Sequence, residues 1–523
     1  MSWWENAVGY EVYLRSFADG NDDGIGDFAG LTSRLGYLAD LGIDIVWVTP
    51  FYPSPLADFG YDVSDHRAID PIYGSMEDFD RFVAAAHDHG LRVVIDVVPN
   101  HSSSEHAFFR SALEDGPGSE HWDFYVWRDP APDGGPPNNW LSFFGGSAWT
   151  LVPKWDKYYM HLFLPEQPDL NWANPRVRDD FVAILQFWKA RGVDGFRIDV
   201  AHSLVEDAEY RDNPVEESKT GTVAVGDDFD AFDHIYDYDQ AGVVDIFRRW
   251  KRQLGPETLL LGEVYITEPD KIVRYISEGR LDRSFFFGLN RIKWDPVEFA
   301  ALIREACDAM THGWSWVQGS HDESRAVTRF GGGAEGWERA MALWVAMMGL
   351  PGTPFLYQGE ELGLEDGEVA PEDMVDPVGV DNPEKGRDPC RTPMPWTATQ
   401  HNGFSSTEPW LRCAPRSEEE TVEAQLADPH SRLSKMRELI RVRGETTDRR
   451  AGALRWIDSP QGTLAFARDG VAHVANLTDE DVMVSVGEGW DQLFSTGGPV
   501  LRIGADVRLA SRSGIILGRS TTN

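Results

Sequence analysis

Cysteine is scarce: Cys307, Cys390 and Cys413 are the only three in 523 residues. An odd and sparse set makes no disulfide framework and points to a reducing cytoplasm. Basic charge is short as well, with 48 Lys and Arg against 86 Asp and Glu, for a net charge of −38. Such a field repels phosphate backbones and anionic membrane surfaces, so nucleic acid and membranes are poor partners, whereas a neutral sugar meets no such penalty. Solubility is the plainest role of the acidity. No apolar run approaches the roughly 18 residues that a membrane span needs. The opening Met1-Ser2-Trp3-Trp4-Glu5-Asn6 has no basic segment and no small-residue cleavage site after an apolar stretch, so no signal peptide is expected. A repeat of roughly 20 to 50 residues and a low-complexity tail are also missing, which excludes solenoids and disordered arrays.

What is present is a globular composition, 42% hydrophobic with 20 Trp and 27 Phe, in a chain long enough for a barrel of roughly 200 to 400 residues plus accessory domains. Apolar, β-branched runs alternate with helical stretches, the order of a parallel sheet covered by helices. The runs are Val8–Phe17, Ile43–Pro50, Arg92–Asn100, Gly195–Val200, Leu259–Val264, Ser284–Gly288, Ser315–Asp322 and Thr353–Gln358. Eight of them suit one closed (β/α)8 barrel, an α/β fold. We assign residues 1–100 and 176–447 to it.

Residues 101–175 separate the third and fourth runs, too long for an ordinary connection and rich in Pro, Gly and Trp, as at Asp133-Gly134-Gly135-Pro136-Pro137, and are expected to form an inserted subdomain. Gly363 to Phe404 is a second long irregular segment, placed after the eighth strand, where it would wall a site. From residue 448 to 523 short alternating segments such as Thr463–Ala467 and Ala472–Asn476 predict a C-terminal antiparallel β-sandwich.

The C-terminal ends of barrel strands carry function, and here they are acidic: Asp96-Val97-Val98-Pro99-Asn100-His101, Gly195-Phe196-Arg197-Ile198-Asp199-Val200, Leu261-Gly262-Glu263-Val264 and Gly319-Ser320-His321-Asp322. Residues two apart share a strand face, so Arg197 would hold Asp199 ionised, as a nucleophile requires. Glu263, facing the charges of Asp199 and Asp322, would have a raised pKa and serve as general acid. Any one of these motifs could be an ion pair closing the barrel. Four together match a glycosidase, which needs a nucleophile, an acid and a clamp for sugar hydroxyls.

These four segments resemble the sequence regions of the α-amylase superfamily, glycoside hydrolase family 13, in their order and barrel positions. The resemblance implies Asp199 as nucleophile, Glu263 as acid/base and Asp322 as the carboxylate that holds sugar hydroxyls in the transition state, supported by Arg197, His101 and His321. Ser320 departs from the family's usual asparagine, and His202 reads as structural. Gln167-Pro168-Asp169-Leu170-Asn171 resembles the form typical of the oligo-1,6-glucosidase and α-glucosidase branch, which brings Gln167 to the site. Gly60-Tyr61-Asp62 resembles the segment that supplies a stacking Tyr61 and a hydroxyl-binding Asp62, and Arg387-Asp388-Pro389-Cys390-Arg391-Thr392-Pro393-Met394-Pro395-Trp396 resembles the branch's arginine-bearing loop. An Asp62–Arg387 pair would close the pocket behind one glucose and make the enzyme exo-acting; Arg391, four residues on, is the other candidate, and Arg387 is preferred. Val200, directly after the nucleophile, goes in this branch with action on α-1,6 bonds. Phe144, Phe163 and Tyr61 are candidates to stack on sugar faces, with core packing as the alternative.

Asp19, Asn21, Asp23, Ile25 and Asp27 alternate along a loop with glycine at its sixth position, which suits a hard cation. The loop also resembles the branch's metal loop after the first barrel strand. A structural calcium, or magnesium, is expected; an acidic turn without metal is the alternative. The resulting reading is a cytoplasmic retaining α-glucosidase acting on short oligosaccharides or α-glucosides, a monomer or small homo-oligomer. Two rivals stand beside it: a trehalose- or sucrose-converting transferase on the same scaffold, and a non-catalytic carbohydrate-binding relative, which would have no use for an acid/base pair.

Overall fold

The computed structural model describes residues 2–215, 229–277, 279–290, 292–309, 313–377, 386–446, 452–498 and 500–520. Eight parallel strands close into a barrel in chain order: β1 (Gly9–Val12), β2 (Ile45–Val48), β3 (Arg92–Val97), β4 (Gly195–Ile198), β5 (Leu259–Gly262), β6 (Arg283–Phe286), β7 (Trp314–Trp316) and β8 (Thr353–Tyr357). Side chains fill the interior and helices cover the outside, so these strands are buried on both faces and read as continuous apolar runs.

Local chemistry starts the covering helices. Ser75 and Asp78 form a capping box for Met76–Asp88, and Asn174 caps Pro175–Ala190, whose first residue is a proline with no N–H to satisfy. Every strand is shorter than its apolar run, and β1 and β7 lose the most. β1 stops at Val12 and turns into a 3-10 segment, Leu14–Ser16, because Tyr13 and Leu14 donate their N–H groups to the side chains of Gln358 and Thr49 instead of to a neighbouring strand. β7 stops at Trp316, and the stretch to Asp322 runs as a loop over the barrel mouth.

Between β3 and Pro175 the chain forms a helix, Ala107–Asp115, and a three-stranded antiparallel sheet of Trp127–Arg128, Lys157–Met160 and Trp149–Val152. Trp140, Trp149, Tyr158, Met160 and Leu162 give this insert its own core. It is tied to the barrel mouth where Leu170 donates to the Asn100 carbonyl at 2.8 Å and His101 bridges to Asp169.

Beyond the helix Arg432–Glu445 the boundary placed at residue 448 falls on 447–451, outside the described residues. A five-stranded and a three-stranded antiparallel sheet follow, sharing a core that includes Ala465, Val474, Val484, Val507 and Ile515. The larger sheet docks on the helix Gly333–Met347, where His473 Nδ1 meets the Val345 carbonyl at 2.8 Å. Among the described residues no helix is long and apolar enough to cross a membrane.

Candidate active site

Arg197 sits on β4 with its guanidinium buried in the barrel mouth, 5.1 Å from the Trp47 ring. Its Nη1 reaches Asp96 on β3 at 2.8 Å and Asp199 at 2.5 Å, and its Nη2 pairs with Glu263 beyond β5. One planar cation thus gathers carboxylates from three adjacent strands. Main-chain bonds continue the barrel ladder past the strand ends: Asp199 donates to Val97, Glu263 to Ile198, and Ala201 to Glu263. Val200 then turns into the left-handed region, at a φ of 34°, and aims its N–H at Glu263 Oε2, 3.0 Å away. A β-branched residue there costs on the order of 1–3 kcal/mol, and the surrounding barrel must hold it.

Burial pushes both Asp199 and Glu263 above the usual carboxylate range, with Arg197 opposing; the negative charges of Glu263 and Asp96 add to the rise at Asp199, and that of Asp322 adds to it at Glu263. Strand geometry alone predicts that Arg197 holds Asp199 ionised; here burial outweighs the guanidinium, which is divided among three carboxylates. The two acids titrate as a pair. Asp322 is the carboxyl held ionised most firmly: although buried, it is kept well below the carboxylate range by the Arg387 and Arg391 guanidiniums, with Arg391 Nη2 at 2.9 Å and Arg387 Nη1 at 3.2 Å from its Oδ1 and the His321 ring 3.2 Å from its other oxygen. Ser320, in place of the usual asparagine, accepts the Asp322 N–H at 3.2 Å.

The histidines are kept neutral. Burial lowers both His101 and His321 to about 3. His321 Nδ1 lies 2.5 Å from Glu11, and its Nε2 lies 2.8 Å from the Tyr61 hydroxyl, which is also 3.2 Å from Asp96. The Tyr61 ring stacks on His321 at 5.4 Å.

These groups surround a cavity of about 200 Å³ lined by Asp58, Tyr61, His101, Phe143, Phe144, Phe163, Asp199, Val200, Glu263, Tyr265, Asp322, Glu323 and Arg387. Nine of the residues singled out from sequence are therefore in its wall. Arg197, Gln167 and His321 lie behind the wall. Gln167 is buried and donates to Asp58 at 3.2 Å, with His101 Nε2 3.0 Å away.

Asp62 must be corrected. It does not pair with Arg387: its carboxylate accepts from Ser54 Oγ at 2.7 Å and from the N–H groups of Ala57 and Asp58 at 3.0 Å each. Asp62 is the internal cap of its own turn, and that turn presents Asp58. Arg387 Nη2 meets Asp58 at 2.7 Å and Asp376 at 2.6 Å. The segment expected at the closed end is there, but a turn with Phe59 and Gly60 both at positive φ presents Asp58 and not Asp62 to the pocket.

The family model for the alpha amylase catalytic domain matches residues 11–451. The chain belongs to the α-amylase family. It is a glycoside hydrolase by that membership, and its relatives within the family are close. A probable alpha-glucosidase of Rhizobium meliloti is 39% identical over 496 residues, covering 91% of this chain and 90% of that protein. The oligo-1,6-glucosidase of Heyndrickxia coagulans is 34% identical over 84% of this chain and 85% of its own. Among solved structures, the alpha-glucosyl transfer enzyme XgtA superposes with a TM-score of 0.93 at 37% identity, covering 99% of this chain and 100% of that one.

In this α-amylase relative, sequence reasoning missed Asp58, Phe143, Tyr265 and Glu323 in the wall, and Asp376 and Glu11 behind it. Phe143 and Glu323 adjoin residues already chosen, so adjacency was an available signal. Nothing local marks Asp376 or Glu11, which meet their partners only through tertiary folding.

The loop from Asp19 to Asp27 is built on its own oxygens. Asp19 accepts from the N–H groups of Asn21, Asp22 and Gly24, Asn21 Oδ1 accepts from Asp23, and Asp27 accepts from Gly30 at 2.6 Å and Gly20 at 3.2 Å. Among the described residues no three acidic, histidine or cysteine side chains gather as a ligand set. The side chains of Asp19, Asn21, Asp23 and Asp27 all offer oxygens, and Asp27 is a buried carboxyl raised by burial and further by Asp19 and Asp23. This chemistry fits calcium or magnesium.

Proposed function

We propose that this protein is a retaining, exo-acting α-glucosidase that removes terminal α-linked glucose from short oligosaccharides or α-glucosides. The observation that carries the reading is the convergence of Asp199, Glu263 and Asp322 in one pocket whose end is shut by Arg387 and Asp58. Asp199 attacks the anomeric carbon while Glu263 passes its proton to the departing glycosidic oxygen, leaving glucose esterified to Asp199. Glu263, now ionised, takes a proton from water, and the hydroxide attacks the same carbon, restoring both acids. Two inversions return the α-anomer. Asp322, ionised throughout, holds sugar hydroxyls as positive charge develops on the ring. The closed end admits one glucose.

Proton NMR of the first product from maltose, isomaltose and p-nitrophenyl α-glucoside tests this. α-Glucose should appear first and vanish with Asp199→Asn; β-glucose first, or no turnover, would overturn the mechanism. Faster turnover of isomaltose than of maltose is expected if Val200 favours α-1,6 bonds.

Transfer of the glucosyl group to a second sugar is the alternative outcome of the same intermediate. The superposition on an alpha-glucosyl transfer enzyme and the aromatic wall of Phe143, Phe144 and Phe163, where an acceptor could bind in place of water, both favour testing it. We also propose a structural calcium in the Asp19–Asp27 loop, held by Asp19, Asn21, Asp23, the Ile25 carbonyl and Asp27, where it would offset the loop's charge. Three free thiols, two of them buried, fit a cytoplasmic protein that is a monomer or small homo-oligomer.

A further inference from the structure

One wall of the pocket belongs to a closed aromatic cluster, in which Tyr238 returns to 6.4 Å from the pocket ring Phe143. Phe143 lines the cavity, and Phe163 stacks on it at 5.2 Å with 6° between planes. Phe229, from the loop after β4, stacks on Phe143 at 4.3 Å. Phe229 is covered in turn by His234 at 3.7 Å and 17°, and His234 by Tyr238 at 5.4 Å and 12°. The insert thus meets the barrel loop ring on ring.

His234 is the clamp of this cluster. Its Nδ1 lies 2.5 Å from Asp237 Oδ2 and its Nε2 lies 2.8 Å from the Phe229 carbonyl. Asp237 is fully buried, so both anchors of the ring lie inside the protein. The same side chain therefore grips Phe229 by its backbone and by its ring, and Phe229 presses Phe143 into the pocket wall.

We infer that His234 and Phe229 are positioning residues for the leaving-group side of the pocket: they fix Phe143 so that the part of the substrate beyond the scissile bond is held in one orientation. The inference rests on the α-glucosidase reading above and deepens it, because neither residue lines the cavity.

The test compares two substrates of the whole protein. α-Glucosyl fluoride has a leaving group too small to use the wall, whereas maltose and p-nitrophenyl α-glucoside do use it. His234→Ala and Phe229→Leu should raise KM for maltose and p-nitrophenyl α-glucoside about tenfold, while kcat/KM for α-glucosyl fluoride stays within about twofold of the unmodified enzyme; about 1.4 kcal/mol corresponds to that tenfold. Phe229→Tyr, which keeps the stack, should restore KM. Equal losses on all substrates, or no change on any, would overturn the inference, as would failure of Phe229→Tyr to restore KM. If His234→Ala does not fold, the two Phe229 variants decide. An unmodified enzyme inactive on all three substrates would instead defeat the α-glucosidase reading itself.

Discussion

Arg387 reaches Asp58 at 2.7 Å with one guanidinium nitrogen and Asp322 at 3.2 Å with another, so a single side chain joins the closed end of the pocket to the carboxylate that stays ionised. Asp376, fully buried, holds the guanidinium from behind at 2.6 Å.

Breaking this arrangement should cost binding more than folding. Asp58→Ala leaves Arg387 with Asp322 and Asp376 and opens the closed end of the pocket, so kcat/KM on maltose should fall by about 10² to 10³, roughly 2.7–4 kcal/mol of transition-state binding. Asp62→Ala should act differently, because Asp62 caps a turn: a lower urea midpoint is expected together with the loss of activity. Equal thermal stability in both variants would contradict this division.

The pH profile of kcat/KM should be bell-shaped, with both limbs belonging to the Asp199–Glu263 pair. Below the first apparent pKa Asp199 is protonated and cannot attack; above the second Glu263 is ionised and cannot protonate the leaving oxygen. Since burial raises both acids, both limbs should lie above about 4, the ordinary carboxylate value. Glu263→Gln should lose the alkaline limb and about 10²- to 10⁴-fold in rate on maltose, with a smaller loss on α-glucosyl fluoride, whose leaving group needs no proton. An acid limb at the ordinary value would mean that Arg197 prevails over burial after all.

Stability should also depend on pH through Asp169 of the insert, which burial pushes up to about 8. A carboxyl whose pKa rises on folding stabilises the folded chain below its unfolded value, near 4, and that contribution is lost as pH climbs through about 8. Unfolding in urea should thus weaken between about pH 5 and 8, and Asp169→Asn should flatten the trend by up to about 1.4 kcal/mol per pH unit. An unchanged slope would remove Asp169 as the source.

Calcium should raise the unfolding temperature and chelation should lower it. Free ion at about 100 times its Kd would contribute about 2.7 kcal/mol. Asp23→Ala should abolish the calcium response while leaving the chelated protein's unfolding temperature nearly unchanged. A response that survives in Asp23→Ala would locate the ion elsewhere.

Much of this protein is legible without coordinates. The period of apolar runs specifies a closed parallel barrel, because strands covered by helices outside and side chains inside must be apolar on both faces. The acidic ends of β3, β4 and β5 and of the loop after β7 follow from the same logic, since only strand ends reach the barrel mouth. Arg197 and Asp199, two residues apart, share a face by strand geometry alone.

What tertiary structure decided lies in the loops and in the electrostatics. Asp58 and Asp62 are chemically alike and four residues apart; only the fold of their turn determines that one faces Arg387 while the other turns inward to cap the backbone. The protonation of Asp199 depends on how one guanidinium is divided among Asp96, Asp199 and Glu263 and on how completely water is excluded, neither of which a strand pattern records. Phe229 and His234 reach the pocket wall through rings contributed by a separate insert. Periodicity encodes which face of an element is buried, and the sequence alone determined that much here; a distance between loops arises only when the elements pack, which is why the barrel could be read from the chain and the partner of Arg387 could not.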